Sequence, residues 1–289
     1  MSRTEPVEVT SELLRQWQLP DTGSSKDQRG DVLVIGGAER TPGAVQLAGL
    51  AALRVGAGRL SLALAAPVAG ALAVVTPEAG VAGLPVDSNG SLTGEDLDRI
   101  DDWIKSSDVL ILGPGLDSAQ SARALLSGVL ARLGDSTSLV LDAFALGVLA
   151  EFAPLPGDLH GRLVLKPNDT EAERLLGRPL GDDLVADVSE IAARYDAVVS
   201  CSGVVADSDA RCWRISFGRD GLGTSGSGDV LSGAIGGLLA RGASAPQAAC
   251  WATYLHSAAG ERLASRVSKV GFLAREIVDR LPYVLDELT

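Results

Sequence analysis

The glycine-rich stretch Gly221-Leu-Gly-Thr-Ser-Gly-Ser-Gly-Asp-Val-Leu231 concentrates more chemistry than any other part of this 289-residue chain. Gly226 and Gly228 allow a tight turn and the close approach of a ligand, because no Cβ stands in the way. An apolar helix is predicted from Asp229 to about Ala240, and its free N–H groups favour an anion such as phosphate. Asp229 lies in the first turn, where its carboxylate serves either as a helix cap or as a base beside that phosphate. The stretch is not a P-loop, which needs Lys followed by Ser or Thr at the helix start.

Composition and charge narrow the classes of partner. The formal net charge of −12 disfavours nonspecific binding to nucleic acid or to an anionic membrane, so local N–H groups must hold an anionic ligand. The three cysteines form no C-x-x-C pair, which indicates a reduced, cytoplasmic location. The sequence has no signal peptide, no apolar run of about 18 residues and no His/Cys metal cluster.

Strands and helices are predicted to alternate along the chain. Asp31-Val-Leu-Val-Ile35 is a short apolar run typical of a buried parallel strand, and a helix over 43–57 and a strand over 59–64 complete a βαβ unit. Further strands are predicted over 108–113, 138–142, 162–165 and 196–200, a hairpin over 204–215, and helices over 94–105, 119–133, 170–176, 184–195, 246–265 and 271–288; residues 66–76 are ambiguous. We therefore predict an α/β fold, a three-layer sandwich with a mostly parallel central sheet. Residues 31–289 form its single domain, and residues 1–30 form an N-terminal extension in which Ser11 caps a short helix.

The strand ends are the next candidates, because ligands bind outside the carboxyl ends of parallel strands. Asn168 and Glu171 either hold water around Mg²⁺, which prefers oxygen ligands, or form a helix-start pair. Asp229 can deprotonate a hydroxyl that then attacks a phosphoryl group. The ligand-friendly strand ends are Gly36-Gly37, Gly113-Pro-Gly115, Asp142, Asn168 with Glu171, Ser200 to Gly203, and the loop before Asp229. Each has a structural explanation when taken singly, but together they favour one site.

With these motifs in order, the chain resembles the ADP-dependent NAD(P)H-hydrate dehydratases of the ribokinase-like superfamily. The run Gly223-Thr-Ser-Gly-Ser-Gly-Asp229 resembles the superfamily's G-x-G-D anion-hole motif. The other matching segments are Gly36-Gly-Ala38, Thr41-Pro-Gly-Ala44, Gly49 to Gly58, Pro77-Glu-Ala79, Leu112-Gly-Pro-Gly-Leu116, Leu141-Asp-Ala143, Gly226 to Gly233 and Tyr254-Leu-His256.

The resemblance implies repair of hydrated NADH or NADPH. It implies that the hydrate hydroxyl is phosphorylated by ADP, or by ATP, with Mg²⁺ as cofactor, and that phosphate then leaves; such an enzyme is a hydro-lyase. Asp229 then resembles the catalytic base. The implied nucleotide-binding residues are Ser200, Cys201, Ser202, Gly203, Gly226, Ser227 and Gly228, and the implied substrate-binding residues are Gly37, Ala44, Gly115, Asp142, Asn168 and Asp229.

Three positions depart from the family pattern. Lys166-Pro-Asn-Asp-Thr-Glu171 stands where the family commonly has Thr-Pro-His-Pro-Gly-Glu, so Asn168 replaces a substrate-contacting His. Phe144 replaces a carboxylate, and Cys201-Ser202 stands where the family has a nucleotide-facing Lys-Gly pair. The Asn168 to Glu171 run is similar to the N-x-x-E motif of sugar and vitamin kinases in the same superfamily.

Two alternative functions follow from these departures: a small-molecule kinase, or a nucleotide-binding protein with reduced catalysis. His256 is predicted to be a packing or interface residue within an apolar helix. The resemblance also implies a homo-oligomer and cooperation with a separate NAD(P)H-hydrate epimerase.

Overall fold

A ten-stranded sheet is the central layer of the computed structural model, which describes residues 5–21, 23, 25–155, 159–218 and 221–289. The strands are β1 (Val7–Glu8), β2 (Asp31–Ile35), β3 (Arg59–Ala65), β4 (Ala79–Leu84), β5 (Val109–Leu112), β6 (Ser138–Asp142), β7 (Leu163–Lys166), β8 (Val198–Cys201), β9 (Val204–Ala206) and β10 (Cys212–Arg214). The helices are α1 (Ser11–Gln16), α2 (Gly43–Arg54), α3 (Ala66–Val75), α4 (Asp101–Ser106), α5 (Ala119–Leu130), α6 (Phe144–Val148), α7 (Asp169–Leu176), α8 (Leu184–Tyr195), α9 (Ser227–Ala240), α10 (Ala245–Arg266) and α11 (Ala274–Asp286). Short 3-10 helices cover Lys26–Gln28, Leu97–Ile100 and Leu149–Phe152.

The sheet order is β1-β10-β9-β8-β7-β6-β5-β2-β3-β4. Every pair from β8 to β4 in this order is parallel, and β9 is antiparallel to both β8 and β10. The carboxyl ends of β8, β7, β6, β5 and β2 therefore lie side by side at one edge of the sheet. This arrangement brings most of the predicted strand-end residues to one place.

Two apolar cores, one on each face of the sheet, explain the three layers. Successive residues of a strand point to opposite faces. In β2, Val32 and Val34 join the core beneath α2, α9, α10 and α11, and Leu33 and Ile35 join the core beneath α4 to α8. The four β2 side chains are buried on both faces, as continuous apolar strands of parallel sheets are.

Close packing of α2 against α9 fixes the position of the glycine-rich helix. A Cβ on Gly233 would collide with the backbone carbonyl of Ala48, and one on Gly237 would collide with that of Ala52. Glycine at these two α9 positions lets the two helix backbones approach within contact distance. The beginning of α9 is thereby held over the sheet edge where the strands end.

The structure confirms the predicted α/β sandwich and corrects several elements. Residues 66–76, which were ambiguous, form α3, and the edge strand β4 was not predicted because Gly80 and Gly83 interrupt its apolar pattern. The single helix predicted over 94–105 is wrong. Asp96 is left-handed and Ile100 is not α-helical, so a 3-10 turn precedes the short α4.

At the N-terminus, the prediction that Ser11 caps α1 is wrong. Thr10 is the cap, since its hydroxyl accepts a hydrogen bond from the amide of Leu13 at 3.1 Å. The segment before residue 31 also contributes to the core, because β1 pairs with β10 and Leu14 is buried. In the described part of the chain, no helix has the length and apolarity that a membrane crossing requires.

Candidate active site

The beginning of α9 offers unpaired backbone donors to an anion. Gly226 is the N-cap, with a φ of 86°, and it has no side chain that could cap the helix. The amide of Ser227 donates to the carbonyl of Thr224 at 3.1 Å, but Gly228 and Asp229 lie in the first turn, where helix amides lack intrahelical partners. We call residues 226–229 the α9 anion site. Its amides and the positive end of the helix dipole both favour a phosphate group.

His256 supports this turn from α10. Its Nε2 lies 2.9 Å from the Oγ and 3.1 Å from the carbonyl oxygen of Ser227, and both side chains are buried. Burial, together with the charge of Lys166, lowers the pKa of His256 to about 4, so its ring is neutral near pH 7. The sequence-based prediction of a packing histidine missed this bond to the anion site.

Asp229 has the electrostatics expected of a base. Burial and the nearby Asp142 carboxylate raise its pKa from 3.8 to about 7, against the opposing charge of Lys166. A general base is most effective when its pKa lies near the working pH. Asp229 occupies the third position of α9, at the mouth of the α9 anion site, so a hydroxyl bound there would face both the carboxylate and the phosphate.

A buried ion pair lies beside Asp229. The Nζ of Lys166, at the end of β7, is 2.8 Å from Oδ1 of Asp142, at the end of the neighbouring β6. Oδ1 of Asp142 also accepts a hydrogen bond from the amide of Ala143 at 2.7 Å, and Oδ2 accepts one from Ser232 Oγ at 2.6 Å. Ser232 belongs to α9, so Asp142 ties two strand ends to the helix that carries Asp229.

The residues that follow β2 and β5 form one wall of the site, which consists of tightly packed backbone. The amide of Gly37 donates to the carbonyl of Pro114 at 2.8 Å, and Thr41 Oγ1 donates to the carbonyl of Gly115 at 2.7 Å. A Cβ on Gly115, whose φ is 69°, would lie 2.9 Å from the Cβ of Ala44 and 3.1 Å from the Cα of Gly37. The structure thus brings together three residues that the sequence assigned to the substrate: Gly37, Ala44 and Gly115.

Asn168 and Glu171 form a helix-capping box at the start of α7. The Oδ1 of Asn168 accepts from the amide of Glu171 at 2.9 Å, and Oε2 of Glu171 accepts from the amide of Asn168 at 2.9 Å. Burial and Asp142 raise the pKa of Glu171, while the Asn168 amide and Lys166 act in the opposite direction. Of the two alternatives left open by the sequence, the helix-start pair is therefore present. Oε1 of Glu171 takes no part in it and is still available to a metal-bound water.

The β8 end divides into buried and accessible positions. Ser200 is buried, with its hydroxyl 2.9 Å from that of Thr253, and Cys201 is buried as well. Burial and Asp169 raise the pKa of the Cys201 thiol to about 12, so it stays protonated. Ser202 is exposed and donates to Asp169 at 2.5 Å, and Gly203 follows it with a φ of 78°. Ser202 and Gly203, in the turn directly after β8, are the residues that a ligand at this edge of the sheet would meet first.

Sequence reasoning missed Lys166 altogether. The sequence contained a signal for it. Lys166 directly follows the apolar run Leu163-Val-Leu165, so its charge lies at the carboxyl end of a buried strand, where ligands bind. No cluster of three or more His, Cys, Asp or Glu side chains within the described ranges has the geometry of a metal site.

This fold and this strand-end site place the chain in the ribokinase-like class of proteins. A solved structure of that class, an ADP/ATP-dependent NAD(P)H-hydrate dehydratase from Bacillus subtilis co-crystallised with ATP and Mg²⁺, superposes with a TM-score of 0.84 at 30% identity, over 98% of this chain and 99% of that one. Residues 32–283 match the family model described as NAD(P)H-hydrate dehydratase, and the chain belongs to that family.

Two relatives mark the extent of the match. An ADP-dependent (S)-NAD(P)H-hydrate dehydratase from Xanthomonas campestris is 42% identical over 97% of this chain and 96% of its own length. A bifunctional NAD(P)H-hydrate repair enzyme from Moorella thermoacetica is 38% identical over 94% of this chain, which spans only 52% of that protein. The family assignment agrees with the resemblance seen in the motifs.

Proposed function

We propose that this chain is a hydro-lyase that restores NADH or NADPH from its hydrate, with ADP as the phosphoryl donor and Asp229 as the base. The observation that carries the proposal is a partly buried carboxyl group in the first turn of a helix that begins at a glycine N-cap without a side-chain cap, and burial and Asp142 raise the pKa of that group to about 7. The Xanthomonas relative, named as ADP-dependent, supports ADP as the co-substrate. We propose further that residues 31–289 form the catalytic domain and that residues 1–30 are an extension docked on it.

The residues described above account for the first stage of the reaction. Asp229 accepts the proton of the hydrate hydroxyl, whose oxygen attacks the terminal phosphorus of ADP while the bond to the AMP oxygen breaks. The α9 anion site holds the phosphoryl group and stabilises the charge on its oxygens. In the second stage the carbon–oxygen bond to phosphate breaks, phosphate leaves with the bonding pair, and the adjacent ring carbon loses a proton to solvent, which restores the double bond. The products are NAD(P)H, AMP and phosphate.

The wall formed by Gly37, Ala44 and Gly115 is suited to close contact with the ring of the hydrate, since it presents backbone and a methyl group. Asp142 is proposed to orient the substrate side of the site, because it links α9 through Ser232 and the end of β7 through Lys166. For the nucleotide, we propose contacts with Gly226, Ser227 and Gly228 and with the accessible Ser202 and Gly203.

Mg²⁺ is proposed to enter with the nucleotide. The oxygens of Asn168 and Glu171 fit an outer-sphere role, because both side chains are engaged in the capping box and only Oε1 of Glu171 lies outside it. When bound, the ion would neutralise phosphate charge. Asn168 and Glu171 would hold its waters.

The test is a coupled assay with NADH hydrate and ADP. We expect the absorbance of NADH at 340 nm to appear together with equimolar AMP. Asp229→Asn should lower kcat at least 100-fold, because the general base is lost. Asp182→Asn is the matched control, since Asp182 is exposed in the loop before α8.

The run from Asn168 to Glu171, which is similar to the N-x-x-E motif of kinases in this superfamily, favours a second candidate, a kinase for a small alcohol. Phosphorylation of a simple sugar or vitamin alcohol by ATP, with no NADH formed from the hydrate, would support the kinase and contradict our proposal. Binding of ADP with no turnover of any of these substrates would instead favour a nucleotide-binding protein.

We also propose cooperation with an NAD(P)H-hydrate epimerase. The Moorella relative is named as bifunctional, and this chain matches about half of it, which leaves room there for a second activity. A homo-oligomer remains a prediction, and sedimentation of the purified chain tests it.

A further inference from the structure

Lys166 is a buried cation to which the proposed reaction assigns no contact with a ligand. Its side chain ends β7, and the residue is only 8% exposed. A Cβ built on Gly228 would lie 2.8 Å from its Nζ, so the ammonium lies directly beside the first turn of α9. The absence of a side chain at Gly228 is what leaves the ammonium this space.

Pairing with Asp142 does not use the whole ammonium group. Asp142 is the one carboxylate within ion-pair distance of Nζ in the described part of the chain. A lysine ammonium has three N–H donors, so it can bind a second acceptor without leaving the first. Asp142 itself already has the amide of Ala143 and the hydroxyl of Ser232 as donors. A neutral residue at position 166 would therefore leave Asp142 with two hydrogen bonds.

The charges around Nζ indicate what that second acceptor is. The ammonium of Lys166 pairs with Asp142 at 2.8 Å, and the charges of Glu171 and Asp229 also act on it. A nucleotide phosphate would approach three carboxylates in a chain with a net charge of −12. Lys166 is the cation whose charge reaches both Asp229 and His256, on either side of the α9 anion site.

We propose that the ammonium of Lys166, held in place by Asp142, directly binds the terminal phosphoryl group of ADP at the α9 anion site. This inference rests on the proposed function. It assigns to a side chain on β7 a contact with the group that is transferred, alongside the backbone amides of α9. A hydrogen bond from a charged donor in a buried site supports affinity well above that of a surface contact.

The experiment separates phosphate binding from simple pairing with Asp142. Binding of ADP and of AMP is measured by calorimetry, at fixed Mg²⁺, for wild type, Lys166→Met, Asp142→Asn and the Asp142→Asn/Lys166→Met double variant. AMP lacks the terminal phosphoryl group. The double variant leaves no unpaired charge, so it stays folded even if Lys166→Met alone does not. Lys105→Met, which removes an exposed lysine of α4, controls for the change in net charge.

We expect Lys166→Met and the double variant each to bind ADP about tenfold or more weakly than wild type, with AMP binding changed less than twofold. The kcat for hydrate turnover should also fall wherever turnover is measurable. Equal ADP affinity in wild type and in the double variant would overturn the inference and leave Lys166 as a structural partner of Asp142. Equal weakening of ADP and AMP would overturn it too, because the terminal phosphoryl group would not be the ligand.

Failure of the proposed function has a different signature. If the wild type binds no ADP, both the function and this inference are refuted. If the wild type binds ADP and forms NADH, and the three variants at positions 142 and 166 bind ADP as tightly as the wild type does, the proposed function stands and the role of Lys166 is refuted.

Discussion

Replacing Asp229 by Asn should stabilise the fold at high pH and abolish the reaction. Burial and Asp142 raise the pKa of Asp229 from 3.8 to about 7, so the folded protein binds this proton more tightly than the unfolded chain does. The associated stability is fully present below pH 3.8. It is lost as pH rises from about 4 to about 7, because the unfolded chain then releases the proton first.

The size of the effect follows from the same shift. One pKa unit corresponds to about 1.36 kcal/mol, so the ionised Asp229 costs at most about 4 kcal/mol above pH 7. Asp229 retains partial exposure, and water reduces this ceiling. The free energy of unfolding of the Asn variant, relative to that of wild type, should therefore increase by about 1–2 kcal/mol as the pH is raised from 5 to 8.

Urea unfolding of wild type, Asp229→Asn and Asp182→Asn at pH 5, 6, 7 and 8 measures this gain. In the same buffers, kcat/KM of the wild type should fall below about pH 7 as Asp229 becomes protonated. If the stability difference between the Asn variant and wild type were the same at pH 5 and pH 8, Asp229 would not have a raised pKa. The assignment of the base on electrostatic grounds would then be wrong.

Two further substitutions test the scaffold of the site. Gly233→Ala should lower the unfolding free energy by about 1–3 kcal/mol in chemical denaturation, because the added methyl collides with the carbonyl of Ala48; an unchanged midpoint would contradict the close packing of α2 and α9. His256→Ala should raise KM for ADP several-fold, because Ser227 loses its buried partner. Wild-type KM should show no inflection from His256 between pH 5.5 and 8, since the His256 pKa is about 4.

The sequence predicts the layers and the edge of the sheet that carries the site. Apolar runs such as Asp31–Ile35 and Val109–Leu112 identify buried parallel strands, because both faces of these strands are covered. Weakly patterned elements escape this reasoning. β4 contains two glycines and lies at an open edge, and β1 has two residues whose partner, β10, is about 200 positions away.

The sequence predicts which residues reach the site better than it predicts what each side chain contacts. Asn168 and Glu171 have the spacing of both a magnesium pair and a capping box, and only the observed hydrogen bonds to each other's amides show that the capping box is present. Ser200 ends the predicted strand and Cys201 follows it, but the observed β8 includes both and buries them because both faces of the sheet are covered. His256 and Ser227 are 29 positions apart, and no local pattern joins them.

Asp229 has to act as a base beside the negatively charged nucleotide. Charged side chains at the carboxyl ends of β6 and β7 and at the beginning of α9 determine its proton affinity. Burial and Asp142 raise the pKa of Asp229, and Lys166 lowers it, so the value of about 7 is a balance of opposing effects. A phosphoryl group that binds Lys166 would offset the positive charge felt by Asp229 and would add negative charge nearby. Both changes raise the proton affinity of Asp229. Arrival of the nucleotide would therefore raise the pKa of Asp229 above about 7, so the ionised base would be present in the complex only at higher pH than in the free protein.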